Sequence, residues 1–195
     1  MDSLSTFQNA KDEYWYFHSE ISKDTCKKII NLAGDWTSAK VDNEFKEGVV
    51  NPEKRISDIF WCNETWLYEI VWKYLHIANQ NSYWNFQIDS SEPMQIARYN
   101  KKGHFIFHKD GNGYTRHENN NEYTHGKTRK LSMSIILNDD YEGGEFEFYS
   151  PNQGALETKQ GDIIVFPSYF LHRVKPVTKG TRYSLVTWFC GEPFK

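Results

Sequence analysis

The sequence predicts a mainly β fold, a β-sandwich or jelly-roll barrel, with N-terminal helices covering one outer face. Three observations carry this. From Tyr83 onward, short β-runs follow one another, punctuated by Gly143-Gly144, Pro151-Asn152, Gly161 and Gly180; many short strands with turn signals between them suit a sandwich or barrel. Upstream, Trp66, Leu67, Ile70, Val71, Tyr74, Leu75 and Ala78 recur at helical spacing, giving a broad apolar stripe that packs against a sheet. Aromatic residues make up 16% of the chain, enough for a thick β core or a pocket wall.

The elements follow in order. Tyr14–Ile21 is strand-like. Ser22 is an N-cap, Asp24 sits in the first turn, and a helix runs through Cys26 and Ile29 to Gly34. Ala39–Pro52 is polar and reads as a loop with room for a short strand. Asn63 is the N-cap candidate for the second helix. The strand candidates are Trp84–Ile88, Met94–Tyr99, His104–His108, Leu131–Leu137, Phe146–Tyr149, Asp162–Phe166, His172–Val174 and Arg182–Phe189. The runs Ile163–Phe166 and Arg182–Phe189 read as antiparallel neighbours, because a turn ending in Gly180 lies between them. Gly111–Arg129 has no strand pattern; a polar loop of that length is expected to be a substrate lid.

At 195 residues, one domain (1–195) is expected, divided into a helical support region (1–93) and a core (94–191). The net charge of -3 supplies no global basic field, so nucleic acid is an unexpected partner. Three cysteines without a CxxC spacing argue against a disulfide framework and for a reducing, cytoplasmic setting. No signal peptide and no membrane-length apolar run is read.

The chemistry concentrates in four residues. His108 and Asp110 are two apart, so in a strand they share a face, roughly 6.6 Å apart. His172 brings a second imidazole from another strand. Two His and one carboxylate on one face, with positions left open, form the facial triad of non-haem Fe(II) oxygenases. His104 lies roughly 13 Å along the strand from His108 and is read as a pocket or surface residue. His117 and His125 fall in the polar loop, and His18 and His76 have no nearby partners. Arg182 is a charged group inside an apolar strand, RYSLVTWF. Buried without a partner it would cost several kcal/mol. Either an internal Asp or Glu pairs with it, or its planar fork grips a bound dicarboxylate. Ser184 shares its face and can add a hydroxyl, and Tyr99 can reach in from its own strand.

With RY followed by HKD, then DDYEGGEFEFY and GDIIVFPSYFLHRVKPVTKGTRYSLVTWF in that order, the chain resembles the 2-oxoglutarate/Fe(II) dioxygenases, in the prolyl 4-hydroxylase and lysyl hydroxylase (PKHD-type) branch, small bacterial and phage members above all. The resemblance covers about Met94–Gly191. It implies a double-stranded β-helix, the cupin-like jelly roll. It implies His108, Asp110 and His172 as iron ligands, Arg182 on the distal carboxylate of 2-oxoglutarate, and Ser184 and Tyr99 beside the co-substrate. Gly143-Gly144 would open a core strand. Where some prolyl hydroxylases carry a co-substrate tyrosine, Ile136 stands near, so Tyr99, Ser132 or Ser134 would substitute. The implied chemistry consumes O2 and 2-oxoglutarate, releases succinate and CO2 and hydroxylates a C–H bond, with ascorbate keeping the iron reduced. A prolyl or lysyl residue in a peptide or protein is the expected substrate. A free amino acid or other small molecule is the alternative, and a non-catalytic jelly-roll binding module is the alternative of another class.

Overall fold

The computed structural model describes residues 13–41, 48–116, 124–150 and 153–195. Its elements run β1 (Trp15–Phe17), α1 (Lys23–Ile30), β2 (Thr37–Ser38), β3 (Arg55–Ile56), β4 (Asp58–Cys62), α2 (Thr65–Asn81), β5 (Ser90–Ser91), β6 (Met94–Tyr99), β7 (His104–His108), β8 (Thr128–Ile136), β9 (Glu142–Gly143), β10 (Phe146–Ser150), β11 (Gln153–Leu156), β12 (Ile163–Pro167), β13 (His172–Val174), β14 (Val177–Lys179) and β15 (Arg182–Gly191). The larger sheet has the order β1-β12-β8-β15-β6-β4-β2, with β5 also on β15. The smaller has the order β11-β10-β13-β7-β3, and β14 pairs with β9 in a separate ribbon. This is the expected jelly roll.

The larger sheet is covered on both faces, and its strands alternate between two cores. Met94 and Ile96, Leu131, Met133 and Ile135, Ile163 and Val165, and Leu185 and Phe189 pack with Leu67, Val71, Leu75 and Ala78 of α2 and with Cys26 and Ile29 of α1. Their neighbours Ala97, Tyr99, Ile164 and Phe166 face the other way, into the space between the sheets, against Phe146, Phe148 and Val174. The helices therefore support one outer face, as their apolar stripes require. No described helix is long and apolar enough to cross a membrane.

Several expectations are corrected. β12 and β15 are not neighbours: β8 lies between them, and Ile135 pairs with Ile163 on one side and Leu185 on the other. The chain between them leaves for the smaller sheet as β13, the strand exchange that makes a jelly roll. Trp84–Ile88 is not a strand. Asn79 donates from Nδ2 to the Phe86 carbonyl (2.9 Å) and accepts from the Phe86 amide (3.0 Å), occupying the backbone groups a ladder would need. Ser22 caps α1 by accepting from the Thr25 amide, yet the helix stops at Ile30, short of Gly34. α2 starts after Glu64; the Asn63 side chain instead accepts from the Tyr68 hydroxyl. The first 93 residues, expected as a helical support, also send β3 to the smaller sheet and β1, β2, β4 and β5 to the larger. Thr128 and Arg129, read as loop, are the first residues of β8.

Gly143, the last residue of β9, and Gly144 form the turn that leads into β10, with φ of 72° and 68°. A Cβ on Gly143 would stand 2.4 Å from the Pro176 carbonyl oxygen, and one on Gly144 would stand 3.1 Å from Cδ of Arg182. The turn thus needs glycine for its conformation and for room beside the arginine stem.

Candidate active site

His108 ends β7 and His172 opens β13, directly opposite each other in the smaller sheet. Their rings lie 4.2 Å apart between centroids. Asp110 follows two residues after His108, where the chain turns: the Asp110 and Gly111 amides both donate to the Ser168 carbonyl, each at 3.0 Å. That turn carries the carboxylate back between the imidazoles. Asp110 Oδ1 is 3.5 Å from His108 Nε2 and Oδ2 is 3.6 Å from His172 Nε2. The three ligand atoms lie within 4.8 Å of one another, so two imidazoles and a carboxylate can close on one ion.

The backbone sets the ring tautomers. His108 Nδ1 donates to the Ile106 carbonyl (2.8 Å) and His172 Nδ1 to the Phe170 carbonyl (3.0 Å). A carbonyl can only accept, so the proton sits on Nδ1 and each Nε2 turns its lone pair inward. Phe105 stacks on His108 at 3.4 Å, and Phe166 meets His172 edge-on at 4.6 Å. Burial pushes His172 down to about 4, with His108 adding to the effect and Asp110 opposing it. Burial alone would raise Asp110, but His172, His108 and Arg129 together hold it well below the usual carboxylate range. The site is thus a neutral imidazole beside a carboxylate at neutral pH, the protonation state that metal binding needs.

Arg182, Ser184, Val186 and Trp188 alternate along β15 onto the cavity face and line the same pocket as His108, Asp110 and His172. Arg182 is only 1% exposed. Its Nη1 donates to Ser184 Oγ at 3.1 Å, while Nε and Nη2 have no hydrogen-bond partner among the described residues. Among the described residues no Asp or Glu forms an ion pair with it, so the internal-carboxylate alternative has no support there. Two orphaned guanidinium donors in an apolar pocket fit a carboxylate ligand. Tyr99 pairs with Arg182 across β6 and β15 and sits 5.6 Å from its guanidinium carbon. Ser134 also lines the pocket; Ser132 turns to the Ser168 hydroxyl at 2.9 Å, and Ile136 is buried opposite Ser184.

The other described histidines stay outside the site. His104 contacts the Lys102 carbonyl at the far end of β7. His18 and His76 lean on Tyr16 and Trp72. His125 is exposed. His117, with the middle of the expected lid (117–123), lies outside the described residues. The described flanks of that loop are fastened: Arg116 pairs with Glu192, Lys127 with Asp89, and the Phe194 amide donates to the Gly113 carbonyl.

Sequence reasoning missed three groups. Arg55 of β3 lines the pocket, donating to Ser57 Oγ (2.7 Å) and Gln95 Oε1 (2.9 Å). Glu92 and Arg129 form a two-pronged ion pair beside Asp110. Trp188 has a buried indole N–H without a partner among the described residues. A cation within a polar run carries no signal of its own, and only register brings β3 against β7.

Residues 94–190 match the 2OG-Fe(II) oxygenase superfamily. The chain is 36% identical over 92 residues to the PKHD-type hydroxylase PsycPRwf_1523 of Psychrobacter sp. (strain PRwf-1), a match covering 43% of this chain and 36% of the relative. It is 43% identical over 82 residues to the PKHD-type hydroxylase Syncc9902_2001 of Synechococcus sp. (strain CC9902), covering 40% and 36%. The chain thus spans little more than a third of the length of these curated relatives. The fold resembles that of the viral collagen prolyl hydroxylase of Paramecium Bursaria Chlorella virus-1, with a TM-score of 0.64 at 18% identity over 92% of this chain and 97% of the other. It also resembles a Trichoplax adhaerens prolyl hydroxylase held with a hypoxia inducible factor peptide, with a TM-score of 0.64 at 18% identity over 91% and 83%.

Proposed function

We propose that this chain, whose residues 94–190 match the 2OG-Fe(II) oxygenase superfamily, is an Fe(II)- and 2-oxoglutarate-dependent dioxygenase that hydroxylates an unactivated C–H bond, in a prolyl or lysyl residue of a peptide or protein. One observation carries the reading: a fully buried Arg182 with two unpartnered donors faces the same pocket as His108, Asp110 and His172. A binding module has no use for both a metal triad and an orphaned arginine in one cavity. The peptide substrate rests on the viral collagen prolyl hydroxylase and on the peptide held by the Trichoplax adhaerens neighbour.

In this reading Nε2 of His108, Nε2 of His172 and the Asp110 carboxylate hold the iron, and Arg182 with Ser184 holds the far carboxylate of 2-oxoglutarate. When bound, iron would activate O2, the oxidant, and 2-oxoglutarate would be the two-electron co-reductant that leaves as succinate and CO2. The chain's own work is positional. The Ile106 and Phe170 carbonyls keep both imidazoles in the metal-binding tautomer. Phe105, Phe146, Phe166 and Val174 wall the pocket and exclude water, which strengthens the Arg182 contact. Residues 94–191 carry the core of this unit, and the described part of the chain before them adds the two helices and strands β1 to β5.

The test is succinate release with Fe(II), 2-oxoglutarate and ascorbate as reductant, screened over prolyl and lysyl peptides and free amino acids. His108→Ala, Asp110→Ala and His172→Ala should each abolish turnover and metal binding. Full succinate formation by His172→Ala would overturn the ligand assignment.

A further inference from the structure

Arg55 is a second cation in the pocket that the co-substrate does not account for. It is half-buried, and its guanidinium lies 4.7 Å above the ring of Phe105, which in turn stacks on His108. Its Nε is spent on Ser57 and one Nη2 hydrogen on Gln95. Among the described residues no carboxylate pairs with it, and its described hydrogen bonds leave Nη1 unused. Gln95 is itself buried, with its position set by pairing to Trp61 on one side and Val186 on the other. The fork is therefore held in place by two neutral acceptors on an aromatic platform, which fixes its orientation without neutralising its charge.

Its location gives that charge a direction. Arg55, Gln95, Phe105, His108, Asp110 and Trp188 line both the triad pocket and a wider groove of about 460 Å³ that opens from it. Lys40 and Lys109 stand exposed along that groove. The acid among its described lining residues is Asp110, which the metal would claim. A partly desolvated guanidinium with a free edge recognises a carboxylate better than a neutral amide, because the charge-assisted bond is the stronger one.

We infer that Arg55 binds a carboxylate of the substrate and so selects substrates with an acidic group next to the carbon to be hydroxylated. The inference rests on the proposed dioxygenase reading. The carboxylate can come from an acidic side chain flanking the target residue in a peptide or from the main-chain carboxylate of a free amino acid.

The experiment uses the full chain loaded with Mn(II), which does not turn over, and 2-oxoglutarate, and follows tryptophan fluorescence. One arm compares Ac-Gly-Pro-Glu-NH2 with Ac-Gly-Pro-Gln-NH2, and the other compares N-acetylproline with its amide. In at least one arm the carboxylate form should bind about tenfold or more tightly, as expected for one charged hydrogen bond. Arg55→Gln should erase that preference and Arg55→Lys should restore part of it. The arm that responds identifies the source. Equal affinities, no binding of either carboxylate probe, a preference surviving Arg55→Gln, or tighter binding of a single-stranded oligonucleotide would each overturn the inference. Mn(II) binding, read separately by electron paramagnetic resonance with and without 2-oxoglutarate, reports on the dioxygenase reading itself. If the ion does not bind, that reading fails rather than the role of Arg55.

Discussion

Arg129 and Glu92 meet as a two-pronged ion pair, Nε to Oε1 at 2.5 Å and Nη2 to Oε2 at 2.6 Å. The remaining arm of the guanidinium, Nη1, donates to the Asp110 carbonyl at 3.2 Å, and the Trp188 ring lies 4.1 Å beneath. With the Ser168 carbonyl holding the Asp110 and Gly111 amides, the turn that carries the carboxylate is tied on both sides.

Breaking this pair from one side strands a buried charge. Arg129→Met should cost about 3–5 kcal/mol of stability, because Glu92 remains desolvated without its partner. The double variant Arg129→Met/Glu92→Leu should recover much of that loss. Urea denaturation of both checks it; a double variant no better than the single one would place the loss in the Asp110 turn and not in the charge.

Arg182→Lys keeps a positive charge but loses the planar fork. The apparent KM for 2-oxoglutarate should rise by about tenfold or more while metal binding persists. Steady-state kinetics with varied 2-oxoglutarate, paired with metal titration, separates the two. An unchanged KM would remove Arg182 from the co-substrate site.

Acid should destabilise the metal-free protein through His172. Its folded value, about 4, lies below the ordinary 6.5, so the unfolded chain takes up the proton first. The stability this contributes is complete above about pH 6.5 and is lost as pH falls toward 4. The low-lying Asp110 acts in the same direction at lower pH. Thermal melts between pH 7 and pH 4 should fall steeply for the parent and less for His172→Gln.

The thiols act at the other end of the scale. Burial pushes Cys26 and Cys62 up to about 11 and Cys190 up to about 12. All three are buried and unpaired. Below the unfolded value of about 9 the protonated thiols contribute fully, and stability is lost as pH rises through the folded values. At pH 8 a thiol reagent should label the native protein slowly and react with three groups in urea. Rapid native labelling would show that the helix-side core opens readily.

Met94–Tyr99, His104–His108 and His172–Val174 were legible to the residue, because an apolar or aromatic run bounded by Gly, Pro or a charged pair leaves little choice of ends. Trp84–Ile88 had the same composition and failed, because a single amide, Asn79, claims the backbone of Phe86. Asp58–Cys62 was missed, since DIFWC follows a polar, proline-containing stretch and is too short to show a period.

The sequence alone determined the spacing of His108, Asp110, His172 and Arg182, and the two-residue period that sends Arg182, Ser184 and Trp188 to one face of their strand. Which face was the cavity, only the tertiary structure decided. Both faces of β15 are buried, so composition cannot tell the helix-covered side from the side between the sheets. Arg55 went unread, and Arg129 was taken for the end of the polar loop instead of a strand residue paired with Glu92, for the same kind of reason. A lone arginine reads as solvated until the pairing of β3 with β7, and the closing of β8 over the Asp110 turn, take it out of water.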